Sequence, residues 1–398
     1  MRAEPRLRRA HVALAGGFVI LGFLDGAWLA RLPAVKHQFG LDSGRLGIVI
    51  LAASLAATLV LPFAGWLSSR HGSRLPVGIG LWAMAVAVGI APFAPSLGPL
   101  LLVMCVFGAG IGIADVAANA HGVELERRLG RPVLSPLHAA WSFGLLGGSA
   151  VSAVAAGFGI GIRVQLPVVA AASAIVVLAV VVHLLTGTAA DVDTAHFALP
   201  RGALALPALL MFCAFFVEAA SMDWSAVFLS GPAGASSAVA AAAVVAYAAA
   251  MGVARLFGDR LMLRWGIGGL ARRSGLLTCL GMLLALATRA PVPSLVGFAL
   301  VGVGCAAIVP ALFRVGGSAP GIAQGAGVAA VATAGYAGGL VNGPAIGFLA
   351  RGIGLSAALG LVVVAGATVA LLGPRLEAGR AAGKAGGAQT AGPVQGPG

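Results

Sequence analysis

The chain has 398 residues, of which 60% are hydrophobic and only 9% are charged, whereas about 25% of the residues are charged in an average soluble protein. This composition excludes an ordinary soluble domain, a disordered chain and a disulfide-stapled secreted module. The apolar residues come in long runs without alternation, which excludes an outer-membrane barrel. The net charge of +13 lies in short clusters between the runs, without a basic stripe or interleaved aromatics, so no nucleic-acid partner is predicted.

Twelve apolar runs follow one another, each close to the ~20 residues that a membrane helix needs. They cover approximately 11–30, 45–68, 75–94, 99–122, 133–158, 164–186, 203–229, 236–257, 270–288, 293–313, 325–349 and 353–373. Alternate connectors hold 19 Lys and Arg residues on the side of the N-terminus and 6 on the other side. Because basic residues concentrate in cytoplasmic loops, both termini of this multi-pass protein are predicted to be cytoplasmic, in a bacterial inner (plasma) membrane.

The most polar internal segment lies between the sixth and seventh runs. We therefore predict an all-α polytopic membrane protein, with twelve transmembrane helices in two six-helix pseudo-repeats. The predicted units are an N-terminal six-helix bundle (1–186), a cytoplasmic linker (187–202), a C-terminal six-helix bundle (203–373) and a cytoplasmic tail (374–398). The tail is predicted to be disordered, because its Gly, Ala, Gln and Pro residues give it little to bury.

Few charged residues lie inside the runs, and each costs about 2.5–3.5 kcal/mol at a helix centre, so such residues mark function by default. Asp25 lies in the first run, and Glu218 lies at a matching depth in the seventh, within a loosely similar string. We predict that both face a central cavity and that they and Asp115 are proton-coupling sites. The competing interpretations are an Asp25–Arg31 pair near the surface and a hydrogen-bonded Glu218 that never titrates.

Other polar and aromatic residues in the runs complete the predicted site. Asn119 follows Asp115 by four residues and shares its helix face, whereas a lone His138 on an apolar helix is more often a core residue. The predicted cavity-lining residues are Trp28, Asn119, His138, Tyr336 and Asn342. The residues predicted at the outer interface are Arg31, Asp223 and Trp224, with the tryptophan as an anchor among the lipid headgroups.

No catalytic constellation is present: the sequence has no HExxH, GxSxG or Walker motif, and its four cysteines lack metal-ligand spacing. We therefore predict neither an enzyme nor a cofactor or metal site. The predicted partners are a small-molecule substrate, protons and the lipid bilayer, and the chain is expected to be monomeric.

Two connectors carry related strings, at residues 65–74 and 258–266. They resemble the inter-helix signature of the major facilitator superfamily and its second-half echo. The first copy departs from the signature, because Ser69 stands where the family has an acid. The resemblance assigns a cytoplasmic gate motif to Gly65, Arg70, Gly72, Arg74, Gly258, Asp259, Arg260 and Arg264.

Five further strings, at 28–33, 115–119, 218–224, 331–336 and 343–344, resemble the MosC-like (YbjJ-type) branch of that superfamily. The resemblance spans residues 15–370 and implies two six-helix bundles with alternating access around a central cavity. The namesake of the branch is associated with a sugar-like inositol derivative. The favoured function is therefore proton-coupled secondary transport of a small polar solute, such as a sugar, a polyol or an amino-sugar-like compound. The alternatives are a drug or metabolite exporter and a non-transporting membrane sensor.

Overall fold

The computed structural model describes residues 3–131, 133–186, 201–320, 322 and 324–377. Within these ranges all regular secondary structure is helical, as the sequence predicts. The predicted linker lies outside the described residues except for 201–202, and so does the predicted tail beyond Glu377.

The first half contains six long helices and one short one. Their bounds are α1 Ala3–Leu29, α2 Leu32–Gln38, α3 Ser43–His71, α4 Arg74–Ile90, α5 Leu97–Leu129, α6 Leu134–Gly157 and α7 Ile162–His183. Each long helix coincides with one predicted run, and α2 is a short addition on the connector between the first and second runs.

The second half repeats this order with two interrupted helices. Its bounds are α8 Ala205–Ser230, α9 Ser237–Arg255, α10 Gly258–Thr288, α11 Pro291–Cys305, α12 Ile308–Gly317, α13 Gln324–Ile353, α14 Leu355–Ala358 and α15 Gly360–Leu372. The tenth predicted run is thus divided into α11 and α12, and the twelfth into α14 and α15.

Among the described residues, eleven helices or helix pairs are long and apolar enough to cross a membrane. The helix that covers the remaining predicted run is α13, which is 30 residues long and rich in glycine. It packs between α8 and α3, so neighbouring helices cover much of its surface. A helix in that position can span a bilayer with fewer large apolar side chains, because small residues allow close packing.

The helix α10 begins twelve residues before the predicted ninth run. Its first part, Gly258–Trp265, is separated from the membrane part by Gly266, whose φ of 65° and ψ of 177° interrupt the helix. The Gly268 N–H then donates a hydrogen bond of 3.1 Å to the Glu377 carboxylate. The described chain therefore remains ordered through the first residues of the predicted tail.

The two halves contact each other through α3 with α13 and through α6 with α9. Exchanging the halves maps α3 onto α9 and α6 onto α13, so the two contacts are equivalent under a two-fold relation. This arrangement is typical of repeats related by a pseudo-two-fold axis. We call the α3–α13 and α6–α9 contacts the two seams. The helices α1 and α8, which also contact each other, lie between these seams.

Candidate functional site

A cavity of about 810 Å³ lies between the halves. Its walls come from α1, α5 and α6 of the first half and from α8, α9, α10 and α12 of the second half. Leu256, which is 76% exposed in the turn between α9 and α10, and Gly258, the first residue of α10, both line it. This turn lies on the side of the membrane where α1 begins, which we call the terminal side; the opposite side is the far side. The cavity therefore opens to the terminal side.

The far side is closed by contacts between the halves. A Cβ atom on Gly47 of α3 would clash with the Gly343 carbonyl oxygen of α13, so these helices touch through their backbones. The Ser237 hydroxyl of α9 donates a hydrogen bond of 3.3 Å to the Ala156 carbonyl of α6. Both seams are thus tight at the far side, and the structure represents a state open to one side of the membrane.

An ion pair crosses the far-side surface between Asp42, which caps α3, and Arg351 near the end of α13, with 3.7 Å between Oδ2 and Nε. The Asp42 side chain also accepts a hydrogen bond of 2.8 Å from the Arg45 backbone N–H. This hydrogen bond, followed by the attraction of the Arg351 guanidinium, holds the pKa of Asp42 below its usual range. Both side chains are about half exposed, so the pair is a weak latch.

On the first-half wall, Asp115 and His138 line the cavity. The Asn119 amide donates hydrogen bonds to the Asp115 carboxylate (3.0 Å) and to its carbonyl (2.9 Å), as the four-residue spacing allows. The His138 ring contacts Phe18 edge to face at 5.4 Å between centroids and interacts electrostatically with Asp115. This wall offers an acceptor, a titratable ring and an aromatic face to a solute.

On the second-half wall, Glu218 lines the cavity and is paired with a cation. The Arg255 guanidinium, at the end of α9, forms an ion pair of 3.3 Å with Glu218 Oε1. Among the described residues, the Nε atom of Arg255 has no hydrogen-bond partner. Arg255 lies at the edge of the eighth run, 37 residues from Glu218 and on another helix, so the sequence does not predict this pair.

A third polar cluster lies between the halves, formed by Asp25 of α1, Asp223 and Trp224 of α8, and Asn342 of α13. The Asn342 amide donates a hydrogen bond of 3.1 Å to Asp223 Oδ2, and its oxygen accepts one of 3.3 Å from the Trp224 indole. Asp25 and Asp223 interact electrostatically across the interface. We call these four residues the interface cluster.

One expectation for the outer interface is wrong. Trp224 is 0% exposed and so cannot anchor the helix among lipid headgroups. Its indole N–H instead donates a hydrogen bond to the Asn342 side chain of α13. Asp223 lies seven residues before the far-side end of α8, and it accepts a hydrogen bond from the same Asn342.

Arg31 does not pair with Asp25. Its guanidinium is buried at the end of α1 and donates to the Ile160 carbonyl in the turn between α6 and α7. Burial lowers the pKa of this guanidinium from its usual value. The surface ion pair that competed with a functional Asp25 is therefore absent from the described residues.

The remaining predicted cavity residues are placed apart from the open cavity. Trp28 is buried and packs against Phe107 at 6.2 Å between ring centroids, and Asn342 is buried in the interface cluster. Tyr336 contacts Phe215, a lining residue, at 5.9 Å. Of the predicted lining set, His138 lines the cavity directly.

The predicted gate motif flanks two turns on the terminal side. Gly72 ends α3 with a φ of 74°, and the Arg70 guanidinium lies 5.6 Å from the Trp66 ring. In the second copy, a Cβ on Gly258 would meet Ala307 at 3.3 Å, so a small residue allows α10 to approach α12. Arg260 and Arg264 are exposed, Arg74 is partly exposed and Gly65 is buried. The Asp259 side chain lies outside the described residues.

Sequence reasoning also missed His121, a buried residue of α5. Its Nδ1 is 2.7 Å from the Ser73 hydroxyl between α3 and α4, and its Nε2 accepts a hydrogen bond of 3.3 Å from Leu185 N–H after α7. This ring holds the first copy of the gate motif against α5 and α7. The sequence signal is a histidine at the end of an apolar run, six residues before Arg127.

The sequence profile of the Major Facilitator Superfamily matches residues 13–343. The chain therefore belongs to this superfamily of membrane transporters. A further match is an uncharacterized MFS-type transporter of Yersinia pestis, which is 31% identical over 89% of this chain and 92% of its own length. Uncharacterized transporter y4wD of Sinorhizobium fredii is 32% identical over 94% of this chain and 99% of its own length. Membrane protein MosC of Rhizobium meliloti is 29% identical over 93% of this chain and 91% of its own length. This match confirms the predicted resemblance to the MosC-like branch.

Solved structures of the same fold have lower identity. The D-xylose-proton symporter superposes with a TM-score of 0.73 at 14% identity, over 93% of this chain and 98% of that chain. The nucleoside transporter NupG superposes with a TM-score of 0.69 at 16% identity, over 93% of this chain and 99% of that chain. These neighbours confirm the predicted twelve-helix major facilitator fold.

Proposed function

We propose that the protein is a secondary active transporter that moves a small polar solute across the bacterial inner membrane by alternating access, coupled to protons. The observation that carries the proposal is the cavity between the halves, open to the terminal side and closed at the far side along both seams. A rocking motion that exchanges these contacts would expose the same walls to the far side. With both termini cytoplasmic, the structure is the inward-facing state.

The cavity chemistry supports a polar solute with a ring or a short carbon chain. Hydrogen-bonding groups on both walls, chiefly Asp115, His138, Glu218 and Arg255, can bind hydroxyl or amino groups, and Phe18 offers an apolar face. The volume of about 810 Å³ accommodates a sugar, a polyol or an amino-sugar-like compound with its water. Solved structures of this fold include a nucleoside transporter, a D-xylose-proton symporter and a fucose:proton symporter, which is consistent with this class of solute.

For proton coupling, we assign the first role to Asp25. Among the three predicted acids, Glu218 has the cation Arg255 as its partner and Asp115 has the Asn119 amide and His138. Asp25 instead faces a second carboxylate, Asp223, and two carboxylates that interact without a cation do not both stay ionised. The state closed at the far side would then hold one proton on the pair. Opening of the far side would hydrate and separate the carboxylates and release it.

A competing function is export of an apolar drug or metabolite. The aromatic side chains that line the cavity favour it, including Trp141, Phe143 and Phe215. The two walls of charged residues favour a polar solute instead, because an apolar ligand would leave their hydrogen-bonding groups unsatisfied. The other alternative is a membrane sensor, which would bind its ligand but would not transport it.

The test has two stages on the purified full chain. Thermal stabilisation by a panel of sugars, polyols, amino sugars, nucleosides and hydrophobic dyes identifies the ligand class. Uptake of the best ligand is then measured in proteoliposomes with an imposed pH gradient, with and without a protonophore. We expect gradient-dependent accumulation of a polar ligand that the protonophore abolishes. Stabilisation by dyes alone contradicts the polar-solute assignment, and binding without uptake contradicts transport.

A further inference from the structure

A second cavity, of about 860 Å³, lies on the outer surface of the first half, between the terminal-side ends of α1 and α7. We call it the α1–α7 groove. Its floor is apolar and includes Val12, Ala179 and Val180, and its rim carries Arg8, Arg9 and His183. It is separate from the central cavity, and transport as proposed above makes no use of it.

The groove is shaped by two contacts between its helices. At its deep end, a Cβ on Gly16 would lie 3.3 Å from Val180, so the glycine lets α1 and α7 approach closely. At its outer end, the Arg6 guanidinium donates a hydrogen bond of 3.2 Å to the Thr186 hydroxyl just after α7. Between these contacts the helices diverge and leave the groove open.

The surface around the groove faces lipid. Val12 is 67% exposed on α1, and Val182 is 64% exposed on α7. Exposed valines on membrane helices are covered by acyl chains, so the floor of the groove is continuous with the lipid-facing surface. A soluble anion would gain nothing from such a floor.

The rim supplies a cluster of positive charge at the membrane boundary. The Arg8 and Arg9 guanidiniums form no ion pair with a described residue, and no acidic side chain is among the described residues that line the groove. Basic pockets between transmembrane helices on the cytoplasmic side bind anionic headgroups. The combination of an anion-binding rim and an apolar floor matches one class of molecule, a phospholipid with a net negative headgroup.

We propose that the α1–α7 groove binds an acidic phospholipid of the terminal-side leaflet, with its phosphate at Arg8 and Arg9 and its acyl chain along Val12, Ala179 and Val180. The lipid would tie the start of α1 to the end of α7. This inference rests on insertion in the membrane and is independent of the solute and of proton coupling.

The test measures binding of dioleoyl phosphatidylglycerol to the full chain in nonionic detergent by native mass spectrometry. Dioleoyl phosphatidylcholine and inorganic phosphate are the comparison ligands. The variant Arg8→Gln/Arg9→Gln should weaken phosphatidylglycerol binding about thirty-fold, because each arginine contributes about a factor of five at a membrane surface. The matched control Arg272→Gln/Arg375→Gln removes two exposed arginines of the second half and should leave it unchanged.

A second variant keeps the proposal testable if the arginine variant does not fold. Ala179→Trp fills the floor of the groove and retains both arginines, so it should also weaken phosphatidylglycerol binding. Equal binding of inorganic phosphate, equal binding of phosphatidylcholine, or equal losses in the control and the arginine variant would each overturn the proposal.

Discussion

The protein contains two acid clusters between its halves that differ in one respect, the presence of a cation. In the cavity, Glu218 is paired with Arg255 at 3.3 Å. In the interface cluster, Asp25 interacts electrostatically with Asp223, which accepts a hydrogen bond from the Asn342 amide. An ion-paired carboxylate can bind a polar solute, whereas two carboxylates that face each other without a cation do not both stay ionised. We therefore propose that solute binding and proton coupling belong to different clusters.

The partners of four other charged or titratable side chains support this proposed separation. Arg31 donates to the Ile160 carbonyl, Arg255 pairs with Glu218, and Arg351 pairs with Asp42. His138 interacts with Asp115. None of these groups is directed to Asp25, so the charge of the interface cluster depends on its own two carboxylates.

The largest expected effect breaks the cavity pair. Arg255→Leu leaves Glu218 without its cation, and loss of one partner of a buried ion pair costs about 3–5 kcal/mol, less here because the pair borders an open cavity. We expect ligand affinity to fall at least tenfold by the thermal-shift titration, on the order of 1.4 kcal/mol. The double variant Arg255→Leu/Glu218→Leu should recover folding stability without ligand binding. Wild-type affinity in Arg255→Leu would show that the pair does not bind the solute.

The next effect concerns closure at the far side. Gly47→Ala places a Cβ against the Gly343 carbonyl oxygen and should push α3 from α13, at about 1–3 kcal/mol. Gly339→Ala is the matched control, because a Cβ there meets open space. Spin labels on Phe158→Cys and Val292→Cys, in a background without the native cysteines, should report a longer far-side distance in Gly47→Ala alone. Equal distances in both variants would contradict closure by this contact.

A smaller effect is expected within the interface cluster. Trp224→Phe removes the indole donor and leaves the Asn342 oxygen without that hydrogen bond, at about 1–3 kcal/mol for an unsatisfied buried acceptor. Thermal unfolding should show a lower Tm, with the ligand affinity of the cavity preserved. Trp141→Phe, a cavity-lining change on the first half, is the comparison, and it should alter affinity more than Tm. A reversed pattern would mean that Trp224 belongs to the solute site.

The smallest effect is at the far-side latch. Asp42→Asn removes the ion pair with Arg351, which is worth about 0–1 kcal/mol at this exposure. Because the folded pKa of Asp42 lies below its unfolded value near ~3.9, its contribution is present above that value and is lost as pH falls through the folded pKa. Unfolding measured at pH 7 and at successively lower pH should therefore show a difference between wild type and Asp42→Asn that shrinks as the pH falls below ~3.9. A difference that does not shrink as the pH falls would contradict the latch.

Much of the fold follows from the sequence, because a helix that crosses the membrane must be both long and apolar, and both properties can be read from the sequence. The twelve predicted runs correspond to the long helices and helix pairs, and the weakest one by hydropathy, α13, is the helix covered by its neighbours. The break at Gly266 could not be predicted from hydropathy, since it depends on one backbone conformation.

The site was predicted less completely, because helix periodicity gives the face of a residue but not its neighbour. The Asp115–Asn119 hydrogen bond joins residues of one helix, and its spacing predicted it. The Glu218–Arg255 pair and the Asp223–Asn342 hydrogen bond join residues 37 and 119 positions apart on different helices. Their register depends on how α8 packs against α9 and α13, which no local pattern contains.

The most direct test of the account is the number of protons moved per solute. Proteoliposomes with a trapped pH-sensitive dye receive the best-transported ligand of the panel, and solute and proton movement are recorded together for wild type, Asp25→Asn and Glu218→Gln. We predict that Asp25→Asn still equilibrates solute but moves no protons, whereas Glu218→Gln transports more slowly with the wild-type proton-to-solute ratio. An unchanged ratio in Asp25→Asn, or its loss in Glu218→Gln, would contradict the assignment of proton coupling to the interface cluster.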